Sequence, residues 1–338
     1  MKNTLFMKQL SAYFNTYLPE NKKCSKNTIA AYTDGFSLFF EFMYEKKSRL
    51  HYQIDYSEFT PQLFDEYILW MKNVKKYSPS TQKQRMAAIT SFLKYASRRE
   101  MSAISALNGA ASAETPKIPD TIFPYFSAEE IRILLKTPDF NCNSGYRDMA
   151  ILSLIYDAAA RAQEICNLCV GDLILSAKPK VRLNGKGNKT REVPISNEVA
   201  KILRVYLKEC GKTLVDNKNE PLFSSQRADK MTTACIRSLT NKYVSLAKKE
   251  NPTLFNEKSY SPHSFRHSKA IHMLEAGVPL IYIRNFLGHE SVKTTEKYAR
   301  VSQAGLVKIL EERKVKSNVP KPKRKARKSN NLPDFMKN

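Results

Sequence analysis

The chain has 338 residues, enough for about two domains at roughly 150 residues each. Its 56 Lys and Arg against 32 Asp and Glu leave a net charge of +24, and 42% of residues are hydrophobic, a globular composition and not a disordered one. No apolar run approaches the ~20 residues that span a bilayer, and the opening MKNTLFMKQLSAYF lacks the long apolar stretch and small-residue cleavage site of a secretory signal. The expected location is therefore the cytoplasm or nucleoid, and six scattered cysteines suit a reducing compartment without a disulfide framework.

A charge of +24 attracts polyanions: DNA, RNA or an acidic membrane surface. Outside the tail there is no basic amphipathic helix or lipid anchor, so a nucleic acid is favoured and no membrane partner is expected.

The first part reads as helices. Ser25 and Asn27 can cap a segment whose one face holds Ile29, Tyr32, Phe36, Phe39, Phe40 and Met43. Thr60-Pro61 places an N-cap before a proline at the first helical position, with Phe64, Tyr67, Ile68 and Met71 at helical spacing behind it. Ser78-Pro79-Ser80 opens another, striped by Met86, Ile89, Phe92, Leu93 and Ala96. The outer faces carry Lys75, Lys76, Lys83, Arg85, Lys94, Arg98 and Arg99, a density that suits phosphate contacts. This gives a helical domain over 1–105. Met101 to Pro124 is rich in Ala, Ser, Gly and Pro, and 106–125 reads as a linker.

A second domain is expected over 126–312. Ser127 to Glu130 forms a capping box, followed by Ile131, Leu134 and Leu135 on the core face. Met149 to Leu168 reads as one long, mostly buried helical stretch. Val181–Leu183 and Arg191–Ile195 read as two short strands around the turn Asn184 to Lys189. Helices follow over Val199–Glu209, Met231–Lys248, Ser264–Glu275 and Pro279–Leu287, then near Thr294–Tyr298 and Ala304–Glu312. The tail, 313–338, holds the run Lys321 to Lys328 and reads as disordered when free, either a DNA-gripping arm or a solvated tail.

Six residues of the second domain share one chemical logic. Arg161 lies at the edge of an apolar stretch, and Lys186 in the Gly-Lys-Gly turn of the hairpin. His263 and Arg266, three apart, share a helical face; His289 follows Leu287-Gly288, and Tyr298 lies nine residues further. Singly, each has an ordinary reading: a salt bridge, a solvated lysine, a structural histidine, a packed tyrosine. Together, two guanidiniums can hold the oxygens of a phosphodiester and neutralise transition-state charge. A phenol can attack phosphorus if its proton, with a pKa near ~10, is removed. A lysine can protonate the departing oxygen, and a histidine can relay the phenol's proton. No metal is then required. Cys166-x-x-Cys169 has no second pair at ligand spacing, and His263, His267 and His272 have no acidic partner, so neither reads as a metal site.

These residues carry a resemblance to the tyrosine recombinases, or phage integrases, which include Xer-type resolvases and transposon integrases. It covers nearly the whole chain to about Val301, most specifically in the spacing of His263, Arg266, His289 and Tyr298 and in the hairpin Gly185 to Pro194. It implies a mainly α fold: an N-terminal helical, SAM-like core-binding domain and a mostly helical catalytic domain with a small β-hairpin or sheet, closing as a C-shaped clamp on DNA. It further implies that Arg161 and Arg266 clamp the phosphate and that Lys186 is the general acid for the leaving 5′-hydroxyl. His263 would assist proton transfer, His289 would hydrogen-bond the scissile phosphate, and Tyr298 would form a 3′-phosphotyrosyl link. His267 reads as the second His of a common family pattern, not as a catalytic group. The energy of the broken bond is kept in the covalent link, so no cofactor or ATP is implied, and there is no phosphate-binding Gly-x-x-x-x-Gly-Lys-Ser/Thr loop.

The implied partners are double-stranded DNA with inverted half-sites, a homotetramer on two duplexes, and accessory DNA-binding or recombinase proteins. Exchange would pass through a Holliday junction, as in DNA integration or transposition of a mobile element. The segment Val301 to Glu312, with Leu306, Ile309 and Leu310, would dock on a neighbouring protomer or pack within its own domain. Rival readings are a type IB topoisomerase and a catalytically silent DNA-binding factor; the intact six residues argue against the second. One departure stands out. The family usually has Thr-Gly-Leu before the first arginine, where this chain has Ala158-Ala159-Ala160. The small middle residue is kept and the leucine's bulk is lost, which bears on the placement of Arg161.

Overall fold

The computed structural model describes residues 4–118, 123–141, 144–185, 189–225, 228–289, 291 and 294–298. The chain divides into two compact units, Met1–Thr121 and Ile122–Asn338.

The first unit is helical: α1 (Leu5–Ala12), a π-helix over Tyr13–Asn21, α2 (Lys26–Lys47), α3 (Pro61–Asn73), α4 (Pro79–Ala96) and α5 (Met101–Ser112). Its starts are written in local chemistry. Ser25, Thr60 and Ser78 each accept a hydrogen bond from the backbone N–H three residues on, and Pro61 and Pro79 occupy first helical positions where no N–H is needed. The stripes expected on α2, α3 and α4 meet as an aromatic core. Phe6 lies edge-on to Phe92 with centroids 5.4 Å apart, and Phe39 edge-on to Tyr67 at 5.3 Å. Each such buried ring contributes about 1.5–3 kcal/mol through burial.

Residues 106–125 do not form a linker throughout: α5 continues to Ser112. Alanine is the best helix former, and small side chains here are what the packing requires. Ala103, Ala106 and Ala110 are buried, and a Cβ on Gly109 would stand 2.7 Å from the Phe59 carbonyl oxygen. A stretch dominated by small residues reads as a linker in sequence, yet its first part buries a helix by close backbone approach.

The second unit comprises α6 (Ala128–Lys136), α7 (Gly145–Asp157), α8 (Ala162–Asn167), α9 (Asn197–Glu209), α10 (Thr233–Glu250), α11 (Pro262–Glu275) and α12 (Leu280–Leu287). Between α8 and α9 lies an antiparallel sheet in the order β1 (Leu173–Ile174), β2 (Lys180–Asn184), β3 (Thr190–Pro194). In its register Val181 faces Val193 and Leu183 faces Arg191. Val181, Leu183 and Val193 turn into the core beside Ile151, Leu154, Leu203 and Phe265, so one face of the hairpin is pinned. The architecture is mainly helical with a small sheet, as the sequence implied.

One local reading in this unit needs correction. Met149 to Leu168 is not one helix: α7 ends at Asp157 and α8 starts at Ala162, because Ala159 adopts φ +45°. An alanine in the left-handed region stops a helix, and nothing in Ala-Ala-Ala announces it. Cys169 consequently lies beyond α8, while Cys166 is within it. The short strand β1 went unread because two residues carry no periodicity. Lys186, the segment Val301 to Glu312 and the tail lie outside the described residues.

Candidate active site

The break between α7 and α8 does the first piece of positioning. Arg161 is the N-cap of α8, and its backbone N–H donates to Glu164 Oε2 at 2.8 Å, the ordinary start of a helix with Glu at its third position. The same carboxylate receives Arg161 Nη1 at 2.9 Å and a two-pronged ion pair from Arg191 of β3, at 2.8 and 2.9 Å. Burial alone would raise the Glu164 pKa, but the hydrogen bonds and charges of Arg191 and Arg161 outweigh it and hold the carboxyl below its usual range. Arg161 keeps 37% of its side chain exposed.

Arg266 is placed by the second turn of α11 and is only 3% exposed. Its Nη1 donates to the Ala159 carbonyl at 2.7 Å and its Nη2 to the Leu287 carbonyl. These carbonyls lie two residues before Arg161 and two before His289. One buried guanidinium thus ties together the two segments that deliver the other phosphate-binding candidates. Burial first, then the charge of Arg161, pulls its pKa down to about 9, which still leaves it protonated at neutral pH.

His263 sits in the first turn of α11, exposed; partial burial and then the charges of Arg266 and Arg161 lower its pKa. The N-terminal turn of a helix also favours an anion. His289 follows Gly288, which caps α12 at φ +64°. Its Nδ1 lies 2.9 Å from Thr295 Oγ1, and burial followed by the charge of Arg266 lowers its pKa to about 4.

Tyr298 lies in a helical turn described over 294–298 and is 1% exposed. It packs on Ala159, Ala270, Ile271, Ile283 and Leu287, runs parallel to His289 at 6.4 Å, and meets Phe123 edge-on at 5.3 Å. Its hydroxyl lies 3.0 Å from His267 Nδ1. Burial pushes the phenol up to about 12, against the opposing pull of Arg266 and Arg161. The Phe123 ring lies tilted against His267 with centroids 4.2 Å apart, and burial followed by the charge of Lys297 lowers the His267 pKa to about 3, so the phenol's partner is a neutral imidazole.

The structure therefore brings Arg161, His263, Arg266, His289 and Tyr298 to one face of the second unit. The sequence reading set His267 aside as non-catalytic and gave Glu164 and Arg191 no role in the site. The readable signal for Glu164 was the Arg-x-x-Glu spacing of a capping box; the contacts of His267 with Tyr298 and of Arg191 with Glu164 join positions distant in sequence. Among the described residues, no three His, Cys, Asp or Glu gather as a metal cage, and Cys24, Cys166, Cys169, Cys210 and Cys235 are free thiols.

Comparison with known proteins places this geometry. Residues 124–304 match the phage integrase family, and residues 10–103 match the phage integrase N-terminal SAM-like domain. Tyrosine recombinase XerC of Myxococcus xanthus is 32% identical over 242 residues, covering 70% of this chain and 76% of the relative. XerC of Pelobacter propionicus is 29% identical over 94% of this chain and 98% of its own. Among solved structures, XerH site-specific recombinase in a post-cleavage complex with palindromic difH substrate superposes with a TM-score of 0.69 at 17% identity, over 87% of this chain and 81% of that one. A lambda integrase dimer bound to a COC′ core site gives 0.60 at 11% identity, over 88% and 81%. At these identities the structural likeness speaks for the fold, while the sequence matches speak for descent. With five of its six expected site residues gathered on the fold those relatives share, the chain belongs to the phage integrase family of tyrosine recombinases.

Proposed function

We propose that Tyr298 is the nucleophile with which this site-specific recombinase cuts DNA. Its phenolic oxygen attacks the scissile phosphorus, the bond to O5′ breaks, and a 3′-phosphotyrosyl link forms. The 5′-oxygen leaves with a proton from Lys186, and attack by another strand's 5′-hydroxyl reverses the step. Arg161 and Arg266 hold the non-bridging oxygens. His263 assists the transfer of the phenol's proton; the phenol oxygen in this arrangement faces His267 Nδ1 at 3.0 Å. His289, with Nδ1 on Thr295 Oγ1, offers Nε2 to the phosphate.

The observation that carries this reading is the phenol's environment. Both candidate clamps act electrostatically on Tyr298, yet burial holds its pKa at about 12. A free phenolate at pH 7 would then stand about 7 kcal/mol uphill, at 1.36 kcal/mol per pKa unit. The proton must leave as the bond to phosphorus forms, which needs an adjacent acceptor and a cationic pocket. Paired inverted half-sites, a homotetramer, a Holliday junction, accessory proteins and a cytoplasmic, nucleoid-associated setting complete the proposal. The net charge of +24 supports the DNA partner. Among the described residues no helix is long and apolar enough to cross a membrane.

Tyr298→Phe is expected to bind a half-site like the parent and form no SDS-resistant adduct on a nicked suicide substrate. An adduct from that variant overturns the assignment. Relaxation of supercoils without recombinants on paired sites would shift the reading to a topoisomerase.

A further inference from the structure

We propose that Arg191 is a positioning residue of the cleavage site, setting Arg161 through Glu164 and the His289 segment through Gly288. It rests on the reading of Arg161 and His289 as phosphate ligands. Glu164, 4% exposed, has two oxygens and four donors. Oε1 takes Nη1 of both Arg161 and Arg191, and Oε2 takes Arg191 Nη2 and the Arg161 backbone N–H, all within 2.8–2.9 Å. Arg161 and Glu164 alone would be a neutral pair, and a phosphate would find its clamp already satisfied. Adding Arg191 leaves the triad with a net positive charge and divides the carboxylate's attraction between two guanidiniums. Arg161, the more exposed of the two, is thereby left with charge to offer an anion.

The second arm of the argument is steric. A Cβ on Gly288 would stand 3.0 Å from Arg191 Cδ, 3.2 Å from Nε and 3.3 Å from Nη1, and Gly288 itself is at φ +64°. The Arg191 side chain therefore lies directly against the cap that turns the chain from α12 into His289. It also approaches Gly185 at the base of the hairpin, whose Cβ would lie 3.8 Å from Nη1. One side chain, anchored on β3 opposite Leu183, thus touches the sheet, the start of α8 and the end of α12. Lysine would keep the charge but not the fork that spans both carboxylate oxygens.

The test measures single-turnover adduct formation on a suicide half-site, half-site affinity and melting temperature. The proteins are the intact chain, Arg191→Lys, Arg191→Met, Glu164→Gln and the Glu164→Gln/Arg191→Met double variant. Arg191→Met should slow adduct formation by about 10-fold or more, the scale of a small misplacement of catalytic groups. Its half-site affinity should change by less than about threefold, and Arg191→Lys should fall between it and the parent. In the Glu164→Gln background the same substitution should add less than about twofold, because residues acting through one another are not additive. A parent-like rate for Arg191→Met overturns the proposal. So does an equal loss in both backgrounds, which would mean that Arg191 does not act on Arg161 through Glu164. A rate loss that disappears when the assay is run well below the variant's melting temperature would mark a merely structural ion pair and overturn it as well. If the parent forms no adduct, the nucleophile assignment falls and this proposal with it; a negative Arg191 result alone leaves that assignment standing.

Discussion

Arg266 and Arg161 have the same proposed task but unequal surroundings, and replacing each by lysine should expose the difference. Arg266 is 3% exposed and divides its fork between the Ala159 and Leu287 carbonyls. A lysine ammonium cannot reach both along the fork's two directions, so one buried carbonyl loses its donor. A hydrogen bond from a charged group contributes about 1.5–3 kcal/mol, and an orphaned buried acceptor costs about 1–3 kcal/mol. These are two views of one loss, so Arg266→Lys should destabilise the second unit by about 2 kcal/mol. Arg161 is 37% exposed, and Glu164 keeps both Arg191 bonds and the backbone N–H when its side chain changes. Lysine keeps the charge, and the change gives up one part-exposed side-chain hydrogen bond to Glu164, so Arg161→Lys should cost less than about 1 kcal/mol. For a unit of this size about 2–4 °C accompanies each kcal/mol, which predicts a fall of about 4–8 °C for Arg266→Lys. Urea denaturation followed by far-UV circular dichroism measures the cost. Trp70, the single tryptophan, is buried in the first unit, and its fluorescence serves as an internal control that should not shift. Equal midpoints for the two lysine variants would refute the argument that Arg266 is a structural tie in addition to its proposed role.

The remaining expectations are narrower. His267 and His289 have pKa values lowered to about 3 and about 4 from an ordinary value near ~6.5. The unfolded chain therefore binds their protons first. Their stability contribution is intact above pH ~6.5 and is lost as pH falls towards the folded values, by up to about 1.4 kcal/mol per pH unit for each. His267→Asn should flatten the dependence of the urea midpoint on pH between 6 and 4, roughly the window set by these shifts; an unchanged slope would count against a buried neutral His267. At Ala159, glycine would relieve about 1 kcal/mol of left-handed backbone strain but give up about 0.8 kcal/mol of methyl burial, so Ala159→Gly should be near neutral. Ala159→Val, β-branched at positive φ in a filled site, should lose about 3 kcal/mol or more, read as a lowered urea midpoint.

The Ala158-Ala159-Ala160 departure illustrates what was readable and what was not. Its sequence shows three good helix formers, and the expected helix runs through them. The structure instead bends there, because the Ala159 carbonyl is needed by Arg266, a residue 107 positions away. The linker reading of 106–112 failed for a related reason: small residues signal either a flexible segment or a close backbone approach, and only the Phe59 carbonyl beside Gly109 decides between them. His267 shows the same limit within the site. Its neighbour Arg266 was singled out by spacing, whereas the partnership of His267 with Tyr298 spans 31 residues and leaves no local trace.

Local chemistry, then, was enough to specify most helix starts, the hairpin and the mainly helical class, and the family pattern pointed to the candidate site residues. Caps, prolines, apolar stripes and the spacing of Arg, His and Tyr act over a few residues or belong to a heritable pattern, so they are visible in the chain itself. Tertiary structure alone decided that a buried Arg266 joins the Arg161 and His289 segments, that Glu164 is shared by Arg161 and Arg191, and that the phenol rests on a neutral His267. Those are contacts between distant positions, and their energies depend on burial and on neighbouring charge, neither of which exists until the chain has folded.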